Sequence, residues 1–255
     1  MHRSVRAKMI VQSLRSSGRM SVGQLSRLTG ASPVTIRRDL ATLEAHGALR
    51  RVPGGAARAV KSGEELPYAL RLGEDLERKT ALARAACELI SDHDTVIIDN
   101  GTTCHAVATQ LVGRPLTAVC LSLHSATALG SDPAARVVVP GGVVTTDTLA
   151  QLSTQATDAV RALSADVFVM GACAISATRG LVCDLPEDAA IKAAAIESAT
   201  RRVLVTTADK LTRPSTFRFG AVADLTHLLT TEDAPRAALE PFEDAGVQVT
   251  IVPSV

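Results

Sequence analysis

The sequence predicts an α/β protein in two parts, a small helix-turn-helix with a wing followed by a Rossmann-like body built on a parallel sheet. Three observations carry this. Charge is split along the chain: residues 1–60 hold eleven Lys/Arg against two acids, while the rest is net acidic, although the whole chain carries only +1. Ser32-Pro33 opens a helix whose outward face is small and basic. From about residue 78 onward, short Val/Ile/Leu runs alternate with helical segments. At 255 residues and 46% hydrophobic, the chain can bury more than one core. A basic head on an acidic body suits a polyanion-binding module joined to a unit of another kind.

In the head, Ala7, Ile10, Val11 and Leu14 form one apolar stripe of a helix ended near Gly18. Ser21-Val22-Gly23-Gln24 is a capping box, opening a second helix expected to bury Val22, Leu25 and Leu28. Thr29-Gly30-Ala31 is the turn, Ser32 the next N-cap, and Pro33 the first helical residue. In this third helix Ile36, Leu40 and Leu43 face inward. At roughly 100° per residue, Arg38 then lies about 200° and Val34 about 160° from Ile36, with Thr35 and Arg37 on the two flanks. Such a face fits a major groove, where arginine reads guanine, so Ser32, Val34, Thr35, Arg37 and Arg38 are candidate DNA contacts. An ordinary surface helix would instead pair Arg37 and Arg38 with Asp39 or Glu44.

After Gly47, Ala48–Val52 reads as a short strand carrying Arg50 and Arg51, closed by Pro53-Gly54-Gly55. This suits a wing whose two arginines touch backbone or minor groove. The run TIRRDLATLEAHGALRRVPGGA resembles the N-terminal domain of the DeoR family of bacterial transcriptional regulators, over about residues 3–58. That resemblance implies a winged helix-turn-helix, with 20–39 as the helix-turn-helix proper. The domains are therefore expected at 1–58 and 77–255. Residues 59–76 between them have no clean period and read as a linker, in which Pro67-Tyr68 and Arg71 resemble the family's segment.

In the body, strands are expected at 95–99, 116–121, 136–140, 166–171, 202–206, 227–230 and 247–252. Helices are expected at 79–91, 102–111, 122–129, 151–163, 187–200 and 235–244. Continuous apolar strands separated by helices indicate a parallel sheet covered on both faces, with ligands at the carboxyl ends of the strands. There lie Asp99-Asn100-Gly101-Thr102-Thr103, Gly141-Gly142 and Gly171. Gly101 permits close approach, and the Thr102 and Thr103 hydroxyls with helix N-terminal amides suit a phosphate. Asp99 fits a sugar hydroxyl or a structural bond, and Lys192 and Lys210 are candidate counter-charges.

This half resembles the sensor domain of the same family, whose fold is like that of ribose-5-phosphate isomerase. The resemblance rests on DNGTT (99–103), PGG (140–142), GACAIS and GL (171–181), Glu187 with Lys192, and ADKL (208–211). It implies a phosphorylated sugar as effector, bound through the DNGTT loop. Two departures are Cys120-Leu121-Ser122, where the family has Thr-Asn-Ser, and a short Asp-to-Lys spacing near 209. The expected function is a repressor of carbohydrate genes. Its expected partners are double-stranded operator DNA, a phosphorylated sugar, and its own copies as a homodimer or homotetramer. The alternative is an isomerase-like enzyme with a DNA-binding appendage, drawing acid/base groups from Asp184, Glu187 and Lys210. No cofactor or metal site is expected, because the five cysteines are widely spaced without Cys/His clusters and read as reduced thiols. With no signal-like or membrane-spanning apolar run, the expected location is cytoplasmic, at the nucleoid.

Overall fold

The computed structural model describes residues 3–45, 47–58, 68–176, 179–212 and 215–253. The chain divides into two compact units, Met1–Glu74 and Asp75–Val255.

The first unit is built on α1 (Arg3–Ser17), β1 (Arg19–Ser21), α2 (Val22–Thr29), α3 (Pro33–Ala45), β2 (Leu49–Val52), β3 (Gly55–Arg58) and α4 (Tyr68–Leu72). The apolar stripe Ile10, Val11 and Leu14 meets Leu25, Ile36, Leu40, Leu43 and Leu49 in one core. Ser21 caps α2 as the sequence requires: Gln24 N donates to Ser21 Oγ at 3.2 Å and Ser21 N donates to Gln24 Oε1 at 2.7 Å. Leu28, expected inside, is instead 41% exposed. Residues spaced i, i+3, i+6 drift about 60° per step around a helix, so Val22 and Leu28 cannot both share the Leu25 face. The wing is a three-stranded antiparallel sheet in the order β1-β3-β2. Gly55 lies at its crossing, where a Cβ would come 2.1 Å from the Met20 carbonyl oxygen, so no other residue fits. Within the expected linker, Tyr68–Leu72 is helical and Tyr68 is buried. Residues 59–67, including Pro67, lie outside the described residues.

The second unit runs through α5 (Leu76–Glu88), β4 (Thr95–Ile98), α6 (Thr102–Gln110), β5 (Thr117–Cys120), α7 (Leu123–Leu129), β6 (Arg136–Val138), α8 (Thr154–Arg161) and β7 (Ala165–Met170). It continues with β8 (Ala174–Ser176), β9 (Gly180–Cys183), α9 (Pro186–Ser198), β10 (Ala199–Thr206), β11 (Phe217–Gly220), β12 (His227–Thr231), α10 (Arg236–Asp244) and β13 (Gln248–Val252). Seven of these strands make one parallel sheet ordered β13-β12-β10-β7-β4-β5-β6. Strand alternation sorts the core into two faces. Ile97, Val119, Phe168 and Leu204 pack with α8, α9 and α10. Val96, Ile98, Val167, Val169 and Val203 pack with α5, α6 and α7. The strands are apolar on both sides because both sides are covered.

In the wing, β1 and β3 were not expected from the sequence, and in the second unit three more strands escaped it: β8, β9 and β11 form a separate antiparallel sheet in the order β11-β9-β8. At three or four residues each they carry too little periodicity to register. The expected helix 151–163 begins only at Thr154, capped by Ser153, because Gln151 is buried and fixed by other bonds.

Candidate functional site

The first candidate site is the outward face of α3. Ser32 Oγ accepts from Thr35 N at 3.2 Å and lies 2.9 Å from Thr35 Oγ1, so the first turn is fixed. Ile36, Leu40 and Leu43 are buried as phased, whereas Val34, Arg37, Arg38 and Ala41 are exposed and Thr35 is half-buried. Both acids of the helix are engaged elsewhere. Asp39 turns inward and accepts from Arg6 Nε at 2.5 Å and Arg6 Nη2 at 3.2 Å. Glu44 accepts from Arg51 N at 2.7 Å and lies 3.9 Å from the Arg51 guanidinium. Arg37 and Arg38 therefore have no acid partner among the described residues. In the wing, Arg50 and Arg51 are both exposed, and Arg50 has no acid partner among the described residues.

The second candidate site lies at the carboxyl ends of β4 and β7. From β4 the chain steps outward through β5 and β6, then returns to lay β7 on the other side of β4. This is a topological switch point, where a crevice opens in parallel sheets. Asp99 and Gly171 end the two strands. Asp99 N donates to Val169 O at 3.1 Å, and Gly171 N donates to Asp99 Oδ2 at 2.9 Å. Lys192, reaching from α9, is 3% exposed. Its Nζ contacts Asp99 Oδ2 at 2.8 Å, Gly171 O at 3.0 Å and Asp188 Oδ2 at 3.3 Å. Asn100 completes the network: its amide N donates to Asp99 Oδ1 at 2.8 Å and its Nδ2 to Asp188 Oδ1 at 2.7 Å. Burial alone would lower the Lys192 ammonium, but Asp188 and then Asp99 outweigh it and hold its pKa well above the ordinary value. Burial pushes the Asp188 carboxyl up, against the pull of Lys192.

Above this floor, α6 begins at Gly101 with no side-chain hydrogen bond capping it. The first-turn amides of a helix have no partner within the helix, and with its dipole they favour an anion. Thr102 is buried and Thr103 half-buried, and neither hydroxyl has a hydrogen-bond partner among the described residues. The Pro140-Gly141-Gly142 turn uses positive φ at both glycines, 93° and 86°. Gln151 ties it to the sheet, with Oε1 accepting from Gly141 N at 2.7 Å and Nε2 donating to Cys120 O at 3.2 Å. Where the sequence departs from the family at 120–122, Cys120 and Leu121 are fully buried in the core and Ser122 caps α7.

Of the residues singled out from sequence, Asp99, Gly171 and Lys192 thus join directly. Lys210 is half-buried in a 3-10 turn after β10. Glu187 is exposed in the first turn of α9, while Asp184 accepts from Ser215 Oγ at 2.6 Å. Asp188 and Gln151 were missed, and Asn100 was named only as part of the DNGTT loop, with no role of its own. The signal for Lys192 was present, since it lies inside the apolar run AAIKAAAI, where a lone lysine needs buried partners. None of the five cysteines is in a disulfide among the described residues, and burial pushes the Cys120 and Cys183 thiols up to about 12.

Residues 6–62 match the DeoR-like helix-turn-helix domain, and residues 74–232 match the DeoR C terminal sensor domain. The chain is 31% identical over 253 residues to the glycerol-3-phosphate regulon repressor of Haemophilus influenzae, covering 98% of each chain. It is 28% identical over 248 residues to the HTH-type transcriptional regulator GolR of Listeria innocua, covering 96% of this chain and 97% of that one. Among solved structures, ribose 5-phosphate isomerase from Plasmodium falciparum aligns with a TM-score of 0.37 at 13% identity, over 53% of this chain and 52% of that one.

Proposed function

The chain belongs to the DeoR family of transcriptional regulators, and from that premise we propose a repressor of carbohydrate genes whose grip on operator DNA is set by a phosphorylated sugar. One observation carries the reading most: α3 presents Arg37 and Arg38 without acid partners among the described residues, because Asp39 and Glu44 are engaged by Arg6 and Arg51. On this reading Val34 and Arg38 face base edges. Ser32, Thr35 and Arg37 hold phosphates, and Arg50 and Arg51 steady the wing on the backbone. Assembled as a homodimer or homotetramer, the copies present paired heads to repeated half-sites at the nucleoid.

In the second unit, Gly101, Thr102, Thr103 and the first amides of α6 receive the effector's phosphate. Gly141, Gly142 and Gly171 line the crevice, Lys210 adds positive charge, and Asp99 with Lys192 holds the floor. The name of the Haemophilus relative, a glycerol-3-phosphate regulon repressor, points to the same ligand class. No turnover is proposed, because the matching family and the named relatives are transcriptional regulators. The ligand acts by binding one arrangement of the protein better than the other.

The test is fluorescence anisotropy of the full-length protein on a random-core duplex pool, followed by titration with phosphopentoses, phosphohexoses and glycerol phosphates. Duplex binding that falls steeply with salt, and that one of these phosphates alters, is expected. Salt-independent binding, or indifference to every phosphate, would refute the proposal. Isomerase turnover of any of the sugars would overturn its non-enzymatic part.

A further inference from the structure

Val34 is anomalous in the free protein. It is 69% exposed, in the first turn of α3, on a face otherwise made of small residues and arginines. A β-branched residue there gains nothing from burial and is a weaker helix former than alanine. Its surroundings are nevertheless fixed. Ser32 and Thr35, on either side in sequence, are bonded to one another, and Ile36 is fully buried beneath. One turn on, at i+4, the same ridge carries Arg38. A stiff apolar branch is thus held outward beside a guanidinium that has no acid partner among the described residues.

In the major groove the only apolar group a base pair presents is the C5-methyl of thymine. We infer that Val34 is a specificity-determining residue that packs on a thymine methyl, with Arg38 reading a guanine beside it. The inference rests on α3 being the DNA-reading helix, and it adds the chemical group that the helix selects. Valine has no donor or acceptor, so this selection works through shape and desolvation. Cytosine, with no methyl and an amino group at the same edge, is rejected.

The experiment uses the full-length protein and a duplex enriched from a random-core pool at fixed salt. Each thymine of the enriched site is replaced in turn by deoxyuridine, which removes the methyl and nothing else. We expect one thymine per half-site whose replacement weakens binding about three- to tenfold, a methyl's worth of apolar burial. Val34→Ala should bind the unmodified duplex that much more weakly and become indifferent to the same replacement. Its far-UV circular dichroism should match the parent, because the side chain is exposed. If every thymine is indifferent, or if Val34→Ala keeps the full deoxyuridine penalty, the inference fails while DNA binding stands. If no duplex enriches at all, the DNA-binding reading falls and takes this inference with it.

Discussion

Replacing Lys192 by methionine tests whether the carboxyl ends of β4 and β7 are held together by charge. Methionine keeps the length of the side chain and its packing near Phe219, whose ring centroid lies 5.3 Å from Lys192 Nζ. What is lost is the ammonium and its contacts to Asp99 at 2.8 Å, Gly171 O at 3.0 Å and Asp188 at 3.3 Å. Asp99 keeps its bonds from Asn100 N and Gly171 N, and Asp188 keeps Asn100 Nδ2, but both carboxylates remain buried without a cation. Removing one partner of such a pair costs about 3–5 kcal/mol. For a unit of this size that lowers its melting temperature by roughly 6–20 °C. Full-length protein melted under circular dichroism measures the loss. Hydrogen exchange of the β4 and β7 amides assigns it to this unit. The deficit should shrink as pH falls toward the ordinary carboxylate range at about 4, because burial without the ammonium raises the folded-state carboxyl above its unfolded value and the folded variant takes up a proton first. A loss under about 1 kcal/mol, or one that does not change with pH, would show that the ammonium is not what holds the two strand ends together.

Arg38→Ala should weaken binding to the enriched duplex by about 1–3 kcal/mol and relax one base position, measured by competition with single-base variants. Equal weakening on random DNA would reduce Arg38 to a phosphate contact. Thr102→Val should leave duplex affinity unchanged and abolish the response to phosphorylated sugars; an unaltered response would remove the DNGTT loop from the effector site. Gly55→Ala places a methyl 2.1 Å from Met20 O, so it should unpair β1 from β3 and abolish duplex binding while the β4 and β7 amides stay protected. Burial and then the neighbouring His124 lower the His105 pKa, so the folded state binds its proton less readily than the unfolded chain. Stability should therefore fall as pH drops through the ordinary histidine range near 6.5, and His105→Leu should flatten that slope in pH-dependent urea titrations.

What the sequence made legible was whatever depends on short spacing. The Ser21–Gln24 capping box and the Ser32 cap join residues three apart, and the phase of Ile36, Leu40 and Leu43 is one helix's geometry. The apolar strand runs announced a doubly covered sheet, and the switch-point rule directed attention to the carboxyl ends of its strands. The charge network was illegible in detail because its members come from β4, β7 and α9, brought together only by the crossover. Read singly, Lys192 is a counter-charge for a ligand; in the fold its hydrogens are already taken by Asp99, Asp188 and Gly171. Leu28 was misplaced because a three-residue repeat walks around a helix. The β8-β9-β11 sheet was missed because strands so short have no pattern of their own.

The Arg6–Asp39 pair divides the labour of α3. Its inner side is committed, through Ile36, Leu40 and an ion pair to α1, to one fixed seat in its unit. Among the described residues, the side chains of its outer side at Val34 and Arg38 make no hydrogen bond or ion pair on which that seat depends. Substitutions at those two positions are therefore free of the folding constraints that bind their neighbours. On the proposed reading of Val34 and Arg38 as the base-reading pair, duplicated copies of such a chain could drift to new operators one base at a time, and recoding two side chains would yield mutually orthogonal switches while leaving the sensor untouched.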